Sequence, residues 1–294
     1  MIVPQQESFN QQIDFENPYK IELYIKREDV LHDEISGNKF RKLKYNLEEA
    51  KRLGYTKLLT FGGAYSNHIA AVAAAGRDYG FETIGIIRGE ELADKFLENP
   101  TLKKAFENGM QFEFVTRTQY RDKNNPQFLA FLQQQFGGFY FIPEGGTNEL
   151  AVKGCEEILT EKDKIFDFIC CAVGTGGTIS GIINSLQPHQ KALGFPALKG
   201  DFLKEDIKKY TKNDHWDLIT DYHFGGYAKI NEELIRFMRS FEQKYSIPLE
   251  PIYTGKMFFG IMDLINNGFF PEKSKILVIH TGGLQGLKSG IAGE

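Results

Sequence analysis

A lysine and a glycine-rich loop that lie far apart in this chain have the residue types for one kind of chemistry. Lys39 lies in the run Ser36-Gly37-Asn38-Lys39-Phe40-Arg41-Lys42-Leu43, and the loop is Gly174-Thr175-Gly176-Gly177-Thr178. A lysine amine can form a Schiff base with an aldehyde, and a glycine loop can bind a phosphate through its backbone N–H groups. A pyridoxal phosphate enzyme requires both features, although neither indicates one by itself.

The glycine loop has the position expected of an anion site. It follows a predicted buried strand at 168–173 and precedes a predicted helix at 180–186. Its N–H groups and the helix N-terminus therefore point toward one place, and Thr175 and Thr178 add hydroxyl donors. The loop lacks the Lys-Ser or Lys-Thr pair of a Walker A loop and the full GxGxxG pattern with a downstream acid. A tight turn without a ligand is the alternative interpretation.

Lys39 is distinguished from a solvated surface lysine by its neighbours. Lys39, Arg41 and Lys42 crowd the start of a helix predicted over 39–53. Like charges and the positive end of the helix dipole both favour the neutral amine, which predicts a lowered pKa for Lys39. Lys42 lies three residues further on, so it shares a helix face with Lys39 and can reach an anion bound there.

A second strand-to-helix junction carries polar groups in the run Phe61-Gly62-Gly63-Ala64-Tyr65-Ser66-Asn67-His68. Ser66 is expected either to cap the helix at 66–79 or to present its hydroxyl to a ligand. Tyr227 and Tyr253 each lie beside glycine, so loops can present them to a ligand. Packing in the core is the alternative for any one of the 13 tyrosines.

Composition favours small-molecule chemistry. The 294 residues include 35 basic and 39 acidic ones, and the net charge of −4 gives no reason to expect a nucleic acid or an acidic membrane as partner. Cys155, Cys170 and Cys171 are expected in the core, and no spacing predicts a metal site. The N-terminal segment lacks the pattern of a signal peptide, and no long uncharged apolar stretch predicts a membrane span. We therefore expect a cytoplasmic enzyme.

Short apolar runs alternate with longer periodic segments, which predicts an α/β fold with parallel sheets. Strands are predicted at 21–26, 58–61, 83–88, 112–115, 139–142, 168–173 and 276–280. Further helices are predicted at 101–108, 126–136, 149–159, 232–245 and 257–267, and the charged stretch 199–214 is predicted to be solvated surface. We expect a small α/β domain at 46–143, inserted in a large cofactor-binding domain formed by 1–45 and 144–294.

Six motifs, taken in chain order, resemble the family of 1-aminocyclopropane-1-carboxylate deaminases and D-cysteine desulfhydrases. They are Lys26-Arg27-Glu28-Asp29, the run around Lys39, Gly62-Gly63 with Ser66-Asn67-His68, Gly174 to Thr178, Tyr253-Thr254-Gly255-Lys256 and His280-Thr281-Gly282-Gly283. The resemblance spans almost the whole chain. It implies the two-domain, three-layer tryptophan synthase β-like fold of pyridoxal phosphate enzymes, fold type II, with the cofactor between the domains. It also implies a homodimer.

The resemblance assigns roles to the cofactor site. Lys39 is similar to the lysine that holds the cofactor as a Schiff base, and Asn67 to the residue that hydrogen-bonds the cofactor's phenolic oxygen. Thr281 resembles a hydroxyl that meets the pyridine nitrogen. The phosphate site is implied to consist of Lys42, Gly174, Thr175, Gly176, Gly177 and Thr178.

The resemblance also implies which residues face a small amino-acid substrate. Ser66 is similar to the serine near the substrate carboxylate and Cα. Tyr227 and Tyr253 are similar to two tyrosines that face the substrate in the deaminases, and the flank of Tyr227 matches less closely. Ser66, Tyr227 and Tyr253 are therefore candidate catalytic residues together with Lys39.

One departure from the deaminase pattern bears on the reaction. Thr254 stands where the deaminases carry a glutamate beside the pyridine nitrogen, and the desulfhydrase branch has threonine there. A hydroxyl such as that of Thr281 suits a neutral ring, which suffices when Cα deprotonation is followed by loss of a good leaving group from Cβ. The pattern therefore favours β-elimination from D-cysteine, giving pyruvate, ammonia and sulfide, over opening of a cyclopropane ring. Lys39 or Ser66 is the candidate base.

Three alternatives stay open at this stage. The first is 1-aminocyclopropane-1-carboxylate deaminase activity, with Tyr253 assisting ring opening. The second is a catalytically silent protein that keeps the fold as a metabolite sensor or scaffold, although Lys39, Ser66, Asn67 and the phosphate loop are all retained. The third is a phosphate-binding enzyme without pyridoxal, such as a nucleotide-dependent transferase. Against it, this sequence has no metal-binding acid or Walker-type lysine beside the glycine loop. The chain is also shorter than familiar family members between Ile183 and Asp221, where substrate-facing loops are expected to be trimmed.

Overall fold

Residues 2–199 and 202–284 are described by a computed structural model of the chain. Their strands are β1 (Asn10–Ile13), β2 (Glu22–Lys26), β3 (Lys57–Gly62), β4 (Glu82–Arg88), β5 (Met110–Val115), β6 (Tyr140–Ile142), β7 (Phe168–Val173), β8 (Lys191–Pro196), β9 (Trp216–Leu218) and β10 (Lys275–Ile279). Their α-helices are α1 (Asn38–Arg52), α2 (Asn67–Tyr79), α3 (Pro100–Glu107), α4 (Arg117–Arg121), α5 (Pro126–Phe136), α6 (Glu149–Glu156), α7 (Gly177–Asn184), α8 (Phe202–Lys208), α9 (Glu232–Tyr245) and α10 (Thr254–Asn266).

The larger sheet has the strand order β1-β2-β10-β7-β8-β9, and only the β1–β2 pair is antiparallel within it. Successive residues of a strand point to opposite faces, and both faces of the central strands are apolar. Cys170 packs with residues of α9 and α10, whereas Ile169 and Cys171 pack with residues of α6 and α7 on the other face. The result is a sheet between two helical layers.

The smaller sheet is parallel throughout, with the strand order β5-β4-β3-β6. It is also covered on both faces, because Leu58 packs with residues of α2 while Leu59 and Phe61 pack with Leu132 of α5. All four strands fall between residues 57 and 142. The separate sheets favour the division into a small domain at 46–143 and a large domain from the remaining segments, which we keep as a proposal.

Helix α1 lies where the two sheets approach each other. Phe40, Leu43 and Leu47 on this helix pack with the core residues of α2 and β3. At its N-terminus, Gly37 lies against the segment that follows β10, since the Asn38 N–H donates to the Thr281 carbonyl at 3.2 Å. The start of α1 is thereby held at the carboxyl end of the larger sheet while its body packs on the smaller one.

The parallel α/β architecture predicted from the sequence is confirmed. The strand at 168–173 and the helices at 126–136 and 232–245 have the predicted bounds, and the other predicted elements differ by a few residues at their ends. Elements whose sequences lack a strong hydrophobic periodicity were not predicted, namely β1, β8, β9, α4 and α8. The prediction that 199–214 is only solvated surface is wrong. Leu203 and Ile207 of α8 lie four residues apart on one helix face and are buried, while the charged residues of this helix face solvent.

Candidate active site

A cavity of about 1580 Å³ opens at the carboxyl ends of the strands of both sheets. Parallel α/β sheets place their ligand sites at these ends, because the loops that leave neighbouring strands converge there. The sequence-predicted residues that line it are Lys39, Lys42, Ser66, Asn67, Gly174, Thr175, Gly176, Thr178, Tyr227, Tyr253 and Thr281. Gly177 does not line the cavity directly, although a Cβ added there would lie 3.2 Å from Lys42 Nζ. Segments far apart in the chain are therefore brought together as predicted.

Lys39 lies in the first turn of α1, and its amine faces the cavity. Burial is the main cause that lowers the pKa of this ammonium, so the neutral amine is more available than in a solvated lysine. Its Nζ lies 3.3 Å from Asn38 Oδ1. A neutral amine at the start of a helix can act as a nucleophile toward an aldehyde and as a base toward a carbon acid.

The direction of the Lys39 shift was predicted, but the role given to Arg41 was wrong. The Arg41 guanidinium donates to both oxygens of Glu28, at 2.8 and 3.0 Å. The Glu28 side chain is fully buried, so this bidentate pair neutralises the arginine within the protein. Arg41 therefore holds α1 against the segment after β2 and does not act on the Lys39 amine.

Lys42 lies below the glycine loop, one helical turn from Lys39. Its Nζ donates to the Gly145 carbonyl at 2.9 Å and to Thr147 Oγ1 at 2.9 Å, and it lies 3.4 Å from Thr175 Oγ1. Burial and the nearby charge of Lys39 lower the pKa of Lys42 to about 7. An anion bound at the loop would stabilise the ammonium form, so Lys42 is suited to hold a phosphate.

The glycine loop presents unused donors to the cavity. The backbone N–H groups of Thr175, Gly176 and Gly177 donate to no acceptor within residues 2–199 and 202–284. Gly176 has a positive φ of 83°, and a Cβ there would approach Ile207 to 2.9 Å, so both backbone conformation and space require glycine. The loop and the start of α7 thus form the concave set of N–H groups that binds a phosphate.

The carboxyl end of β10 supplies a hydroxyl. Thr281 is 8% exposed and lines the cavity, and in the described part of the chain its hydroxyl has no hydrogen-bond partner. Asn38 lies between the two loops, because its N–H donates to the Thr281 carbonyl and its side-chain amide donates to Thr178 Oγ1 at 2.7 Å. The glycine loop, the start of α1 and Thr281 are therefore fixed relative to one another.

Ser66 and Asn67 begin α2 at the carboxyl end of β3. Ser66 is the N-cap, since its Oγ accepts a hydrogen bond from the Ile69 N–H at 3.3 Å, and its hydroxyl proton stays available to a ligand. The two interpretations of Ser66 are therefore compatible. Asn67 faces the segment after Thr281, because a Cβ added to Gly283 would lie 2.8 Å from the Asn67 amide nitrogen.

Tyr227 and Tyr253 form one wall of the cavity. Their rings meet edge to face with centroids 6.2 Å apart. Tyr253 also lies over the glycine loop, since a Cβ added to Gly174 would approach its ring to 3.1 Å. Burial raises the pKa of Tyr227 and, further, that of Tyr253. Both hydroxyls therefore stay protonated near neutral pH and act as hydrogen-bond donors.

Thr254 does not face the cavity. Its side chain is fully buried, and its hydroxyl accepts from the Glu250 N–H at 2.9 Å. The carboxylate that borders the cavity in this segment is Glu250, which reasoning from the sequence missed. Its oxygens accept from the N–H groups of Ile252, Tyr253 and Thr254 at 2.8, 2.6 and 2.7 Å. Glu250 lies four residues before the observed start of α10, where carboxylates satisfy the free N–H groups of a helix start, but the helix predicted from the sequence began only at residue 257.

Glu250→Gln is expected to change how stability depends on pH. Burial raises the pKa of Glu250 to about 7, above its usual value in the unfolded chain. The contribution of Glu250 to the free energy of unfolding is therefore fully present below about pH 4.5 and is lost as the pH rises through 7, because the unfolded chain releases this proton more readily. The unfolding free energy of the wild type minus that of the variant should fall by about 2 to 3 kcal/mol between pH 5 and pH 8. Denaturant titrations at both pH values measure this difference.

Glu242→Gln provides the control, because Glu242 is an exposed residue of α9. This variant should follow the wild-type pH dependence. A Glu250→Gln difference that is the same at pH 5 and pH 8 would contradict the raised pKa.

Comparison with known proteins identifies the class. The family described as pyridoxal-phosphate dependent enzyme matches residues 12–282. The chain belongs to this family, and the predicted cofactor and enzyme class are confirmed. The site fits the group, because a buried lysine amine with a lowered pKa, a set of unused N–H donors and a hydroxyl match its aldehyde, phosphate and ring nitrogen.

Comparison with individual proteins shows which members of the family the chain is similar to. The chain is 33% identical over 292 residues to a Pyrococcus horikoshii protein provisionally named 1-aminocyclopropane-1-carboxylate deaminase, covering 90% of this chain and 85% of the relative. A mitochondrial bifunctional D-cysteine desulfhydrase/1-aminocyclopropane-1-carboxylate deaminase of Arabidopsis thaliana is 30% identical over 301 residues, covering 92% and 74%. The crystal structure of an ACC deaminase homologue matches with a TM-score of 0.81 at 29% identity, covering 97% of this chain and 92% of that chain. The predicted family and its fold are therefore confirmed.

Proposed function

We propose that this pyridoxal phosphate lyase acts on D-cysteine or a similar β-substituted D-amino acid, releasing ammonia, pyruvate and the β-substituent. The observation that carries the choice is that Thr281 lines the cavity whereas Thr254 does not. The Thr281 hydroxyl has no hydrogen-bond partner within the described residues, whereas the Thr254 hydroxyl accepts from the Glu250 N–H. A hydroxyl beside the ring nitrogen suits a neutral ring, which is adequate when Cβ carries a good leaving group.

In the proposed reaction, each group of residues at the cavity has a separate role. Bound pyridoxal phosphate supplies the electron sink that acidifies the Cα–H bond. The Lys39 amine, whose pKa is lowered by burial, accepts the Cα proton. Ser66 and the start of α2 hold the substrate carboxylate, and Lys42 with the glycine loop anchors the phosphate. Tyr253 and Tyr227 donate hydrogen bonds to the substrate, since both stay protonated.

A second candidate is 1-aminocyclopropane-1-carboxylate deaminase activity. Two observations favour it. The relatives from Pyrococcus horikoshii and Arabidopsis thaliana carry this activity in their names. Glu250 also places a carboxylate at the edge of the cavity, although three backbone N–H groups already occupy its oxygens. Those bonds leave the carboxylate committed to the start of α10.

Assays of the holoenzyme with D-cysteine and with 1-aminocyclopropane-1-carboxylate separate the two candidates. We expect pyruvate and sulfide from D-cysteine and a much lower rate of 2-oxobutanoate formation from the cyclopropane substrate. L-cysteine serves as the stereochemical control. Efficient 2-oxobutanoate release without turnover of D-cysteine would favour the second candidate and contradict the first.

We further propose that the enzyme is a cytoplasmic homodimer. The homodimer rests on the family resemblance, and sedimentation equilibrium measures it. Cys155, Cys170 and Cys171 are buried free thiols, and such cysteines are typical of proteins from reducing compartments. Within the described residues, no helix is long and apolar enough to cross a bilayer.

A further inference from the structure

Arg88 is a cation at the cavity whose role the proposed function does not use. It is the last residue of β4, where it pairs with Val115 of β5 at the carboxyl edge of the smaller sheet. Its side chain lines the cavity. A Cβ added to Gly63 would lie 3.6 Å from a guanidinium nitrogen of Arg88, so the arginine lies beside the loop that leads to Ser66.

The acidic groups nearby already have partners. Glu91 pairs with Arg117 at 3.2 Å, and Glu144 pairs with Lys123 at 3.4 Å. Within residues 2–199 and 202–284, the Arg88 guanidinium forms no ion pair or hydrogen bond. An arginine that borders a ligand cavity without a counter-ion is available to an anion from outside the protein.

Arg88 is exposed, and its guanidinium lies over the ring of Tyr120. The Arg88 guanidinium lies 5.7 Å from the centroid of this ring, within the range of a cation–π interaction. Tyr120 is 4% exposed, its ring packs edge-on against Phe61 at 5.9 Å, and its hydroxyl donates to Glu144 at 2.6 Å. A ring fixed at both ends offers the exposed guanidinium one favourable contact beside the cavity, which reduces the entropy cost of binding an anion there.

Arg88 also lies within electrostatic reach of the substrate wall. Burial raises the pKa of Tyr227, and the Arg88 charge opposes that rise. The other charged parts of a substrate adduct have donors elsewhere, since the phosphate meets Lys42 and the glycine loop and the α-carboxylate meets Ser66 and the start of α2. Arg88 is left for an anionic group that a simple neutral amino acid lacks.

We propose that Arg88 binds a second carboxylate, carried by the side chain or β-substituent of the substrate. This inference rests on the proposed function and names its substrate class as acidic D-amino acids with a leaving group at Cβ. The planar guanidinium can bind a carboxylate through two parallel hydrogen bonds, which favours this group over neutral polar ones.

The test compares D-aspartate with D-asparagine, which have similar shapes and differ in the second carboxylate. Neither carries a good leaving group at Cβ, so their dissociation constants can be measured from the change in cofactor absorption of the holoenzyme. We expect D-aspartate to bind at least about tenfold more tightly, as a charge-assisted hydrogen bond predicts. Arg88→Met should bring the ratio of the two constants close to one, and Arg88→Lys should keep part of the preference.

Arg117→Met is the matched control, because Arg117 is also an exposed arginine that lines the cavity but is paired with Glu91. This variant should keep the wild-type ratio. The inference would be overturned if the wild type bound D-aspartate and D-asparagine equally well. It would also be overturned if Arg88→Met weakened the binding of both ligands by the same factor. If D-cysteine is turned over without a preference for D-aspartate, the inference alone fails. If no amino acid changes the absorption band of the bound cofactor, the proposed function is overturned as well.

Discussion

Lys39→Ala is expected to lower kcat/KM by at least about 10³-fold and to abolish the visible absorption band of the bound cofactor. The substitution removes the amine that bonds to the cofactor aldehyde and that accepts the Cα proton, and losing a positioned base alone costs about 10² to 10⁴ in rate. The cavity stays otherwise intact, since Lys39 forms no ion pair within the described residues. Absorption spectra after reconstitution and steady-state kinetics with D-cysteine measure both effects.

Lys44→Ala controls for loss of a lysine from the same helix. Lys44 lies on α1 but pairs with Glu157 at 2.7 Å on the outer side of the helix, away from the cavity. This variant should keep the band and most of the activity. Substantial β-elimination by Lys39→Ala at the wild-type rate would remove Lys39 from the catalytic role.

Gly37→Ala is expected to destabilise the protein by about 2 to 6 kcal/mol and to weaken cofactor binding. Gly37 has a φ of 55° and a ψ of −128°, a sparsely populated region that costs an L-residue about 1 to 3 kcal/mol. A Cβ there would also lie 2.0 Å from the Thr281 carbonyl oxygen, and crowding against backbone adds about 1 to 3 kcal/mol. Relief requires the segment after β10 to move away from α1, which displaces the Thr281 hydroxyl. Denaturant unfolding and cofactor titration measure the two results.

Gly54→Ala isolates the effect of the contact. Gly54 has a φ of 77°, but a Cβ there would meet nothing within 4 Å. Its alanine variant should lose only about 1 to 2 kcal/mol, the cost of the backbone conformation. Equal losses in the two variants would show that Gly37 does not hold the two loops together.

The sequence predicted the site because its motifs follow strands. Lys39, the loop at 174–178 and Thr281 are distant in the chain, yet the carboxyl ends of parallel strands meet at one edge of a sheet. Strand periodicity and glycine positions indicated the phosphate loop and a lysine at a helix start, whereas the roles of Lys39 and Thr281 at the cofactor came from the family resemblance. The resemblance to a known family added the roles of Asn67 and the two tyrosines, which spacing could not supply.

What the sequence could not predict depends on contacts between distant segments. Pairing of Arg41 with Glu28 removes a charge that sequence proximity assigned to the Lys39 environment, so burial remains as the main cause of the lowered pKa. Arg88 ends an apolar strand like many surface residues, and only the positions of Gly63 and Tyr120 place it at the cavity. Helix α8 was hidden by its charges, because two apolar residues four apart are a weak signal.

Peptide mapping after borohydride reduction of the holoenzyme identifies the lysine that bonds to the cofactor. Reduction converts a Schiff base to a stable amine, so the lysine that bonds to pyridoxal phosphate stays labelled through digestion. The geometry of the cavity predicts that the phosphopyridoxyl group is found on Lys39 and that Lys42, one turn away, is unmodified. A label on Lys42 or on any other lysine, or no label on a reconstituted protein, would contradict the account.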